Sequence, residues 1–171
     1  GESPTALLAR VGLLSEQMLA AHAVQVGSSD LELLKQHAVA LALCPRSNHH
    51  LRVGSAPLAR YLAARLRVGL GTDSLASNET LSLWDEMRFA LTAYGETVTP
   101  RQLLTMATIG GAAALGMAAE IGSLEPGKRA DLVAVAHDRL DDDDPYETLL
   151  RHASEKSIIL TMVDGNIRYR G

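Results

Sequence analysis

The chain has 171 residues, of which 47% are hydrophobic, 21% charged and 4% aromatic, and it carries a formal net charge of −4. This length buries a substantial core, and the acidic balance leaves no surplus of cations to displace phosphate counterions, which excludes general nucleic-acid binding. No apolar run approaches the ~20 residues of a membrane span, no basic-then-apolar leader opens the chain, and the single Cys44 excludes an internal disulfide or a cysteine-rich zinc site and points to a reducing, cytoplasmic compartment.

Ser3-Pro4 joins an N-cap to a first helical residue and predicts a helix over Thr5 to Arg10, closed by Gly12. Leu19 to Val26 reads as a strand. Ser29-Asp30-Leu31-Glu32 has capping-box spacing and predicts a helix from Leu31 to His37. Val39 to Leu43 is an unbroken apolar run, as in a strand covered on both faces, and Cys44-Pro45 stops it. A helix over Pro57 to Arg65 and a strand over Arg67 to Gly71 follow. Next comes a long helix, Glu79 to Tyr94, capped by Asn78 and carrying Leu81, Trp84, Met87, Leu91 and Tyr94 on or near one stripe. Strands and helices of these lengths, alternating, suit right-handed crossovers and a parallel sheet.

The pattern then changes. Thr99-Pro100-Arg101-Gln102 caps a helix reaching about Thr108. Ile109 to Met117 is a small-residue helix ending near Gly116, and Ile121 to Lys128 is a turn-rich connector. A strand is expected over Ala130 to Ala136, a solvated acidic loop over Asp141 to Asp144 and a short helix over Pro145 to His152. Ile158 to Val163 and Asn166 to Arg170 flank Asp164-Gly165, a two-residue hairpin signal. The expected division is an α/β part over residues 1–120 and a small β-rich segment over 121–171.

Asp73 is the most informative candidate. The strand ending in Gly71-Thr72 delivers its carboxylate to a small, polar, turn-prone segment, and the C-terminal ends of parallel strands are where α/β enzymes place catalytic groups. His22, near the end of the first strand, is on local grounds either a hydrogen-bonded core residue or a ligand. At the same sheet end as Asp73, the two suit metal-assisted hydrolysis, with Asp73 taking a proton from water and His22 orienting that water. Cys44-Pro45-Arg46-Ser47-Asn48 reads first as a tight loop whose Ser47 and Asn48 bond their own backbone, and second as a wall of the site. His49 and His50, neighbours on an extended segment, face opposite ways and are poor co-ligands. His37 suits a helix C-terminus, while His137 and His152 have no evident partners. Gly69-Leu70-Gly71 lacks the spacing of a dinucleotide loop.

Several stretches together resemble the C-terminal half of the amidohydrolase superfamily, in the branch of chlorohydrolases and adenosine-type and cytosine deaminase-like enzymes. They are Ala21-His22-Ala23-Val24, Cys44-Pro45-Arg46-Ser47-Asn48, Gly71-Thr72-Asp73-Ser74-Leu75-Ala76-Ser77-Asn78, Glu86-Met87-Arg88, Ala107-Thr108 and Gly122-Ser123-Leu124-Glu125-Pro126-Gly127-Lys128-Arg129-Ala130-Asp131. The resemblance implies the C-terminal part of a (β/α)8 TIM-like barrel, its last three strands with their helices, plus a small C-terminal β unit of a composite β-sandwich. It implies that Asp73 is a metal ligand and proton shuttle, that His22 contacts the attacking water or the substrate, and that Ser74 and Asn78 border the substrate. The implied cofactor is a divalent metal, zinc or alternatively iron, whose remaining ligands, a His-x-His pair and a further histidine, are absent from this sequence. The implied partners are a small heterocyclic substrate, the missing N-terminal half of the same enzyme and, as an option, a second copy. The expected function is that of a fragment of a metal-dependent aminohydrolase that deaminates an adenosine-type substrate, with the chain alone inactive. The alternatives are a non-catalytic binding or assembly module derived from such an enzyme, or a sibling chlorohydrolase or cyclic amidohydrolase.

Overall fold

The computed structural model describes residues 1–137 and 144–171. Of the acidic loop expected at Asp141 to Asp144, only Asp144 lies within them. The elements are α1 (Pro4–Arg10), β1 (Leu19–Ala21), α2 (Ser28–Gln36), β2 (Ala40–Leu43), α3 (Pro45–His50), α4 (Leu58–Ala63), β3 (Val68–Leu70), α5 (Leu83–Tyr94), α6 (Pro100–Ala107), α7 (Ile109–Ala114), β4 (Leu132–Val135), α8 (Pro145–His152), β5 (Ile158–Val163) and β6 (Asn166–Arg170). Among the described residues no helix is long and apolar enough to cross a membrane.

β1, β2 and β3 form a parallel sheet in that order, with Leu19 opposite Ala40 and Leu41 opposite Val68. Parallel pairing needs crossover connections, and helices supply them. The central β2 is covered on both sides, so Ala40, Leu41 and Leu43 are buried. Their core continues through Leu58 and Tyr61 of α4, Met87 of α5, Leu103 of α6 and Leu150 of α8. α8 is tied to α5 through Arg88, whose Nη1 donates to the carbonyls of Leu150 (3.0 Å) and Ala153 (2.7 Å). β4, β5 and β6 form a separate antiparallel sheet. Its hairpin turns at Asp164 (φ +51°) and Gly165 (φ +73°), the left-handed pair that a two-residue turn requires.

The glycines of Ile109-Gly110-Gly111 let α7 lie directly on β3. A Cβ on Gly69 would sit 2.9 Å from Gly111 Cα, and one on Gly110 would sit 2.9 Å from the Thr105 carbonyl oxygen. This close packing is the use of Gly69.

Several expected boundaries move. β1 stops at Ala21, short of Val26, because His22 (φ +63°) and Ala23 (φ +48°) turn left-handed. α2 begins three residues before the expected Leu31. Gly27 is its N-cap, and the Asp30 carboxylate accepts the Gly27 N–H at 3.2 Å. The segment after Cys44 is a helix, not a tight loop, since Pro45 occupies the first turn, where its missing N–H costs nothing. α5 begins at Leu83, not Glu79. Ser82 caps it by accepting the Asp85 N–H at 3.3 Å, so Leu81 lies outside the helix and is exposed. The Thr99–Gln102 capping box and the helix Pro145–His152 stand where the sequence puts them.

Candidate active site

His22 follows β1 directly and Asp73 lies three residues past β3, so both emerge at the C-terminal ends of parallel strands. The backbone at both points is left-handed, with Asp73 at φ +58°. For a non-glycine residue this costs roughly 1–2 kcal/mol and needs support from the surroundings. Support at the first point comes from the His22 N–H, which donates to the Ala42 carbonyl (2.9 Å), and from the Tyr61 hydroxyl, which donates to the Ala23 carbonyl.

These turns bring His22 Nε2 to 3.7 Å from Asp73 Oδ2, with the side chains 36% and 32% exposed, accessible yet partly screened. α3 supplies the floor. Ser47 Oγ and Ser77 Oγ both donate to Asp73 Oδ2, at 2.8 and 2.7 Å, and the two hydroxyl oxygens are 2.9 Å apart. These hydroxyls, Ser77 first and then Ser47, hold the Asp73 carboxyl below the usual carboxylate range, helped by a backbone hydrogen bond at Ser74 and by His22 and opposed by burial. Asn48 Oδ1 lies 2.9 Å from His22 Nδ1. With that oxygen accepting, Nδ1–H donates to Asn48, which fixes the ring and turns Nε2 toward Asp73.

Beneath this layer lies Glu86, fully buried on α5. Its Oε1 accepts the Arg46 N–H (2.8 Å) and its Oε2 accepts from Asn78 Nδ2 (3.2 Å). Asn78 Nδ2 also donates to the Thr72 carbonyl at 2.8 Å, and Asn78 Oδ1 accepts the Glu79 N–H at 2.9 Å. Burial, the largest influence, raises the Glu86 carboxyl above its ordinary range, against the Arg46 and Asn78 hydrogen bonds. Burial also pushes the neighbouring Cys44 thiol up to about 11, with the charges of Asp73 and Glu86 adding to it.

The amidohydrolase family pattern matches residues 1–168. The chain belongs to the amidohydrolase family. It is 42% identical to a 5-methylthioadenosine/S-adenosylhomocysteine deaminase of Desulforudis audaxviator, over 100% of this chain and 42% of that protein. The zinc-bound crystal structure of an adenosine deaminase from Xanthomonas campestris superposes with a TM-score of 0.92 at 30% identity, over 99% of this chain and 41% of that one. The zinc complex of atrazine chlorohydrolase from Arthrobacter aurescens gives a TM-score of 0.91 at 30% identity, over 99% of this chain and 40% of that one. The chain therefore spans about two-fifths of the length of these proteins. The parallel sheet with its helices is part of a TIM-like barrel.

In this amidohydrolase chain the structure unites His22 and Asp73, the pair expected from the sequence. The side chains of the other two expected residues take no part in that contact. Ser74 is exposed at the rim, its Oγ accepting the Ala76 N–H at 3.3 Å. Asn78 is buried, and its amide bonds Thr72, Glu79 and Glu86. The preferred local reading of Ser47 and Asn48 also fails, since their side chains reach Asp73 and His22. Ser77 and Glu86 are site residues that the sequence pattern does not single out. Their available signals were a hydroxyl one helical turn past Asp73 and an acid beside Met87 on a buried helix face. His49 and His50 end a helix and are not on an extended segment, and the His49 ring lies 5.2 Å from that of Phe89. His137 and His152, expected to lack partners, bring their rings to 5.3 Å of one another.

Among the described residues no group of three or more His, Cys, Asp or Glu side chains could hold a metal ion. Zinc takes three or four protein ligands. An ionised carboxylate beside an imidazole fits part of such a donor set and falls short of a whole one.

Proposed function

We propose that this chain is the C-terminal part of a metal-dependent aminohydrolase that hydrolyses a C–N bond of an adenosine-type heterocycle and releases ammonia. The observation that carries this is the approach of His22 Nε2 to within 3.7 Å of Asp73 Oδ2 from two different strand ends. The deaminase of Desulforudis audaxviator supports the substrate class, and the zinc-bound relatives support a divalent cation, zinc ahead of iron. Asp73 is one of its ligands, and other polypeptide supplies the rest.

When bound, the cation contributes Lewis acidity, which makes a water acidic enough to ionise near neutral pH. Asp73, kept ionised by the Ser77 and Ser47 hydroxyls, takes the proton of the attacking water at its carboxylate and passes it to the departing nitrogen. His22 Nε2 holds the attacking oxygen, in the orientation that Asn48 fixes through Nδ1. A carbon–oxygen bond replaces the carbon–nitrogen bond, and the nitrogen leaves as ammonia. Ser74 borders the substrate at the rim. Residues 1–120, joined by α8 whose Leu150 enters their core, form the barrel portion, and the strands β4 to β6 of residues 121–171 the β-rich unit of a sandwich completed by the rest of the enzyme. The lone, buried Cys44 supports a cytoplasmic location.

The test is ammonia release by the full-length, zinc-loaded enzyme from adenosine, 5-methylthioadenosine and S-adenosylhomocysteine. Turnover is expected with at least one, and Asp73→Asn lowers it by about 10²–10⁴-fold. Absence of ammonia from all three overturns the proposal. The likeness to atrazine chlorohydrolase favours a second reading, chloride release from a chlorinated triazine, and the same enzyme assayed for chloride decides between them.

A further inference from the structure

Glu86 is the one fully buried carboxylate among the described residues, and the chemistry above does not use it. It lies on α5, away from the rim, yet its two oxygens reach two other elements. One accepts the backbone N–H of Arg46, the residue before Ser47 and Asn48 on α3. The other accepts from Asn78, whose same nitrogen grips the carbonyl of Thr72, the residue before Asp73. Beyond the Gly71 N–H to Leu43 carbonyl bond (2.9 Å) and the Ser47–Asp73 contact itself, the segments bearing Ser47, Asn48 and Asp73 are thus joined from beneath through this one side chain. Ser47 meets Asp73 at 2.8 Å and Asn48 meets His22 at 2.9 Å, spacings that a small relative movement of α3 and the 71–78 loop would break.

We infer that Glu86 is a positioning residue for the reaction: by joining the Arg46 amide to the Asn78–Thr72 contact, it sets the distance between Asp73 and the α3 side chains that orient it. This deepens the function proposed above and rests on it. The role requires two acceptors. Glutamine keeps the size and one acceptor, but turns an NH2 group toward either the Arg46 N–H or the Asn78 NH2, donor against donor. Aspartate is too short to reach both.

The test uses the full-length enzyme with Glu86→Gln, Asn78→Ala and the double substitution. Each single change is expected to lower kcat by about 10²-fold, the scale of a misplacement near 1 Å, while KM moves by less than about threefold. Because both cut the same link, the double variant is expected to lose no more than the worse single one. Leu103→Ala, a core change on α6, controls for stability. It lowers the melting temperature and leaves kcat of the folded enzyme as it was. A crystal structure of Glu86→Gln is expected to show the Ser47–Asp73 contact lengthened beyond hydrogen-bonding distance. Wild-type kcat in Glu86→Gln, additive losses in the double variant, or an unchanged Ser47–Asp73 contact overturns the inference. Should the wild-type enzyme release no ammonia, the function fails, and the crystal structure still decides the positioning role.

Discussion

Tyr61→Phe isolates the support of the left-handed turn at His22. The substitution keeps the ring, which is fully buried in the core, and deletes only the hydroxyl that donates to the Ala23 carbonyl. Burial pushes this phenol up to about 12, so it remains a donor throughout the working pH range. Losing the hydrogen bond costs about 1 kcal/mol net, rising to about 3 kcal/mol if the half-buried carbonyl finds no water. The turn it braces contains two successive non-glycine residues at φ +63° and +48°, each costing roughly 1–2 kcal/mol. Without the brace, the peptide can relax toward an ordinary conformation and carry the His22 ring off Asn48. The full-length enzyme with Tyr61→Phe should therefore lose about 1–3 kcal/mol in urea unfolding and roughly tenfold or more in kcat, with little change in KM. A urea midpoint and kcat both equal to wild type would refute the brace.

Other outcomes follow from the same structure. Arg88, whose Nη2 lies 2.6 Å from Asp85 Oδ1, holds the Asp85 carboxyl below the usual carboxylate range. The pair therefore stabilises the fold above the ordinary aspartate range, near pH 4, and that stabilisation is lost as pH falls through the lower folded value. Solvent screening limits it to about 1 kcal/mol or less, so Asp85→Asn should be slightly less stable than wild type at neutral pH and equal to it in strong acid; a gap that persists in acid sinks this account. Gly69→Ala pushes a Cβ to 2.9 Å from Gly111 Cα and should cost about 1–3 kcal/mol, read as a lower melting temperature, whereas an unchanged one would show that α7 does not press on β3. Cys44, with its thiol raised to about 11 and almost no exposure, should resist iodoacetamide at neutral pH until the protein is unfolded; equal rates in the two states would count against its burial.

What could be read from the sequence alone was what closes locally. The Thr99–Gln102 box, the Asp164-Gly165 turn and the Pro145 helix start each have their partners within a few residues, so composition dictates geometry there. The end of β1 was illegible because Val24 and Val26 prolong the apolar pattern, while the turn at His22 is enforced by Tyr61, 38 residues away from Ala23. Pro45 signals a strand stop and a helix start equally well. Asn78 and Ser82 are both good caps by type; Ser82 Oγ accepts the Asp85 N–H of the first turn, whereas Asn78 Oδ1 accepts the N–H of its neighbour Glu79. In the site, His22 and Asp73 were legible from their strand-end positions. Ser47 and Asn48 were not, since local hydrogen bonding is the usual fate of such residues and their actual partners lie 26 positions away.

The outer strands of the parallel sheet have a practical corollary. Among the described residues β1 pairs only with β2, and so does β3, so Leu19–Ala21 and Val68–Leu70 each have one long side with no strand partner. A solution of this polypeptide by itself should grow turbid as it is concentrated, by molecules zipping together along those margins. Salt should do little to disperse such clusters, because their cement is uncharged.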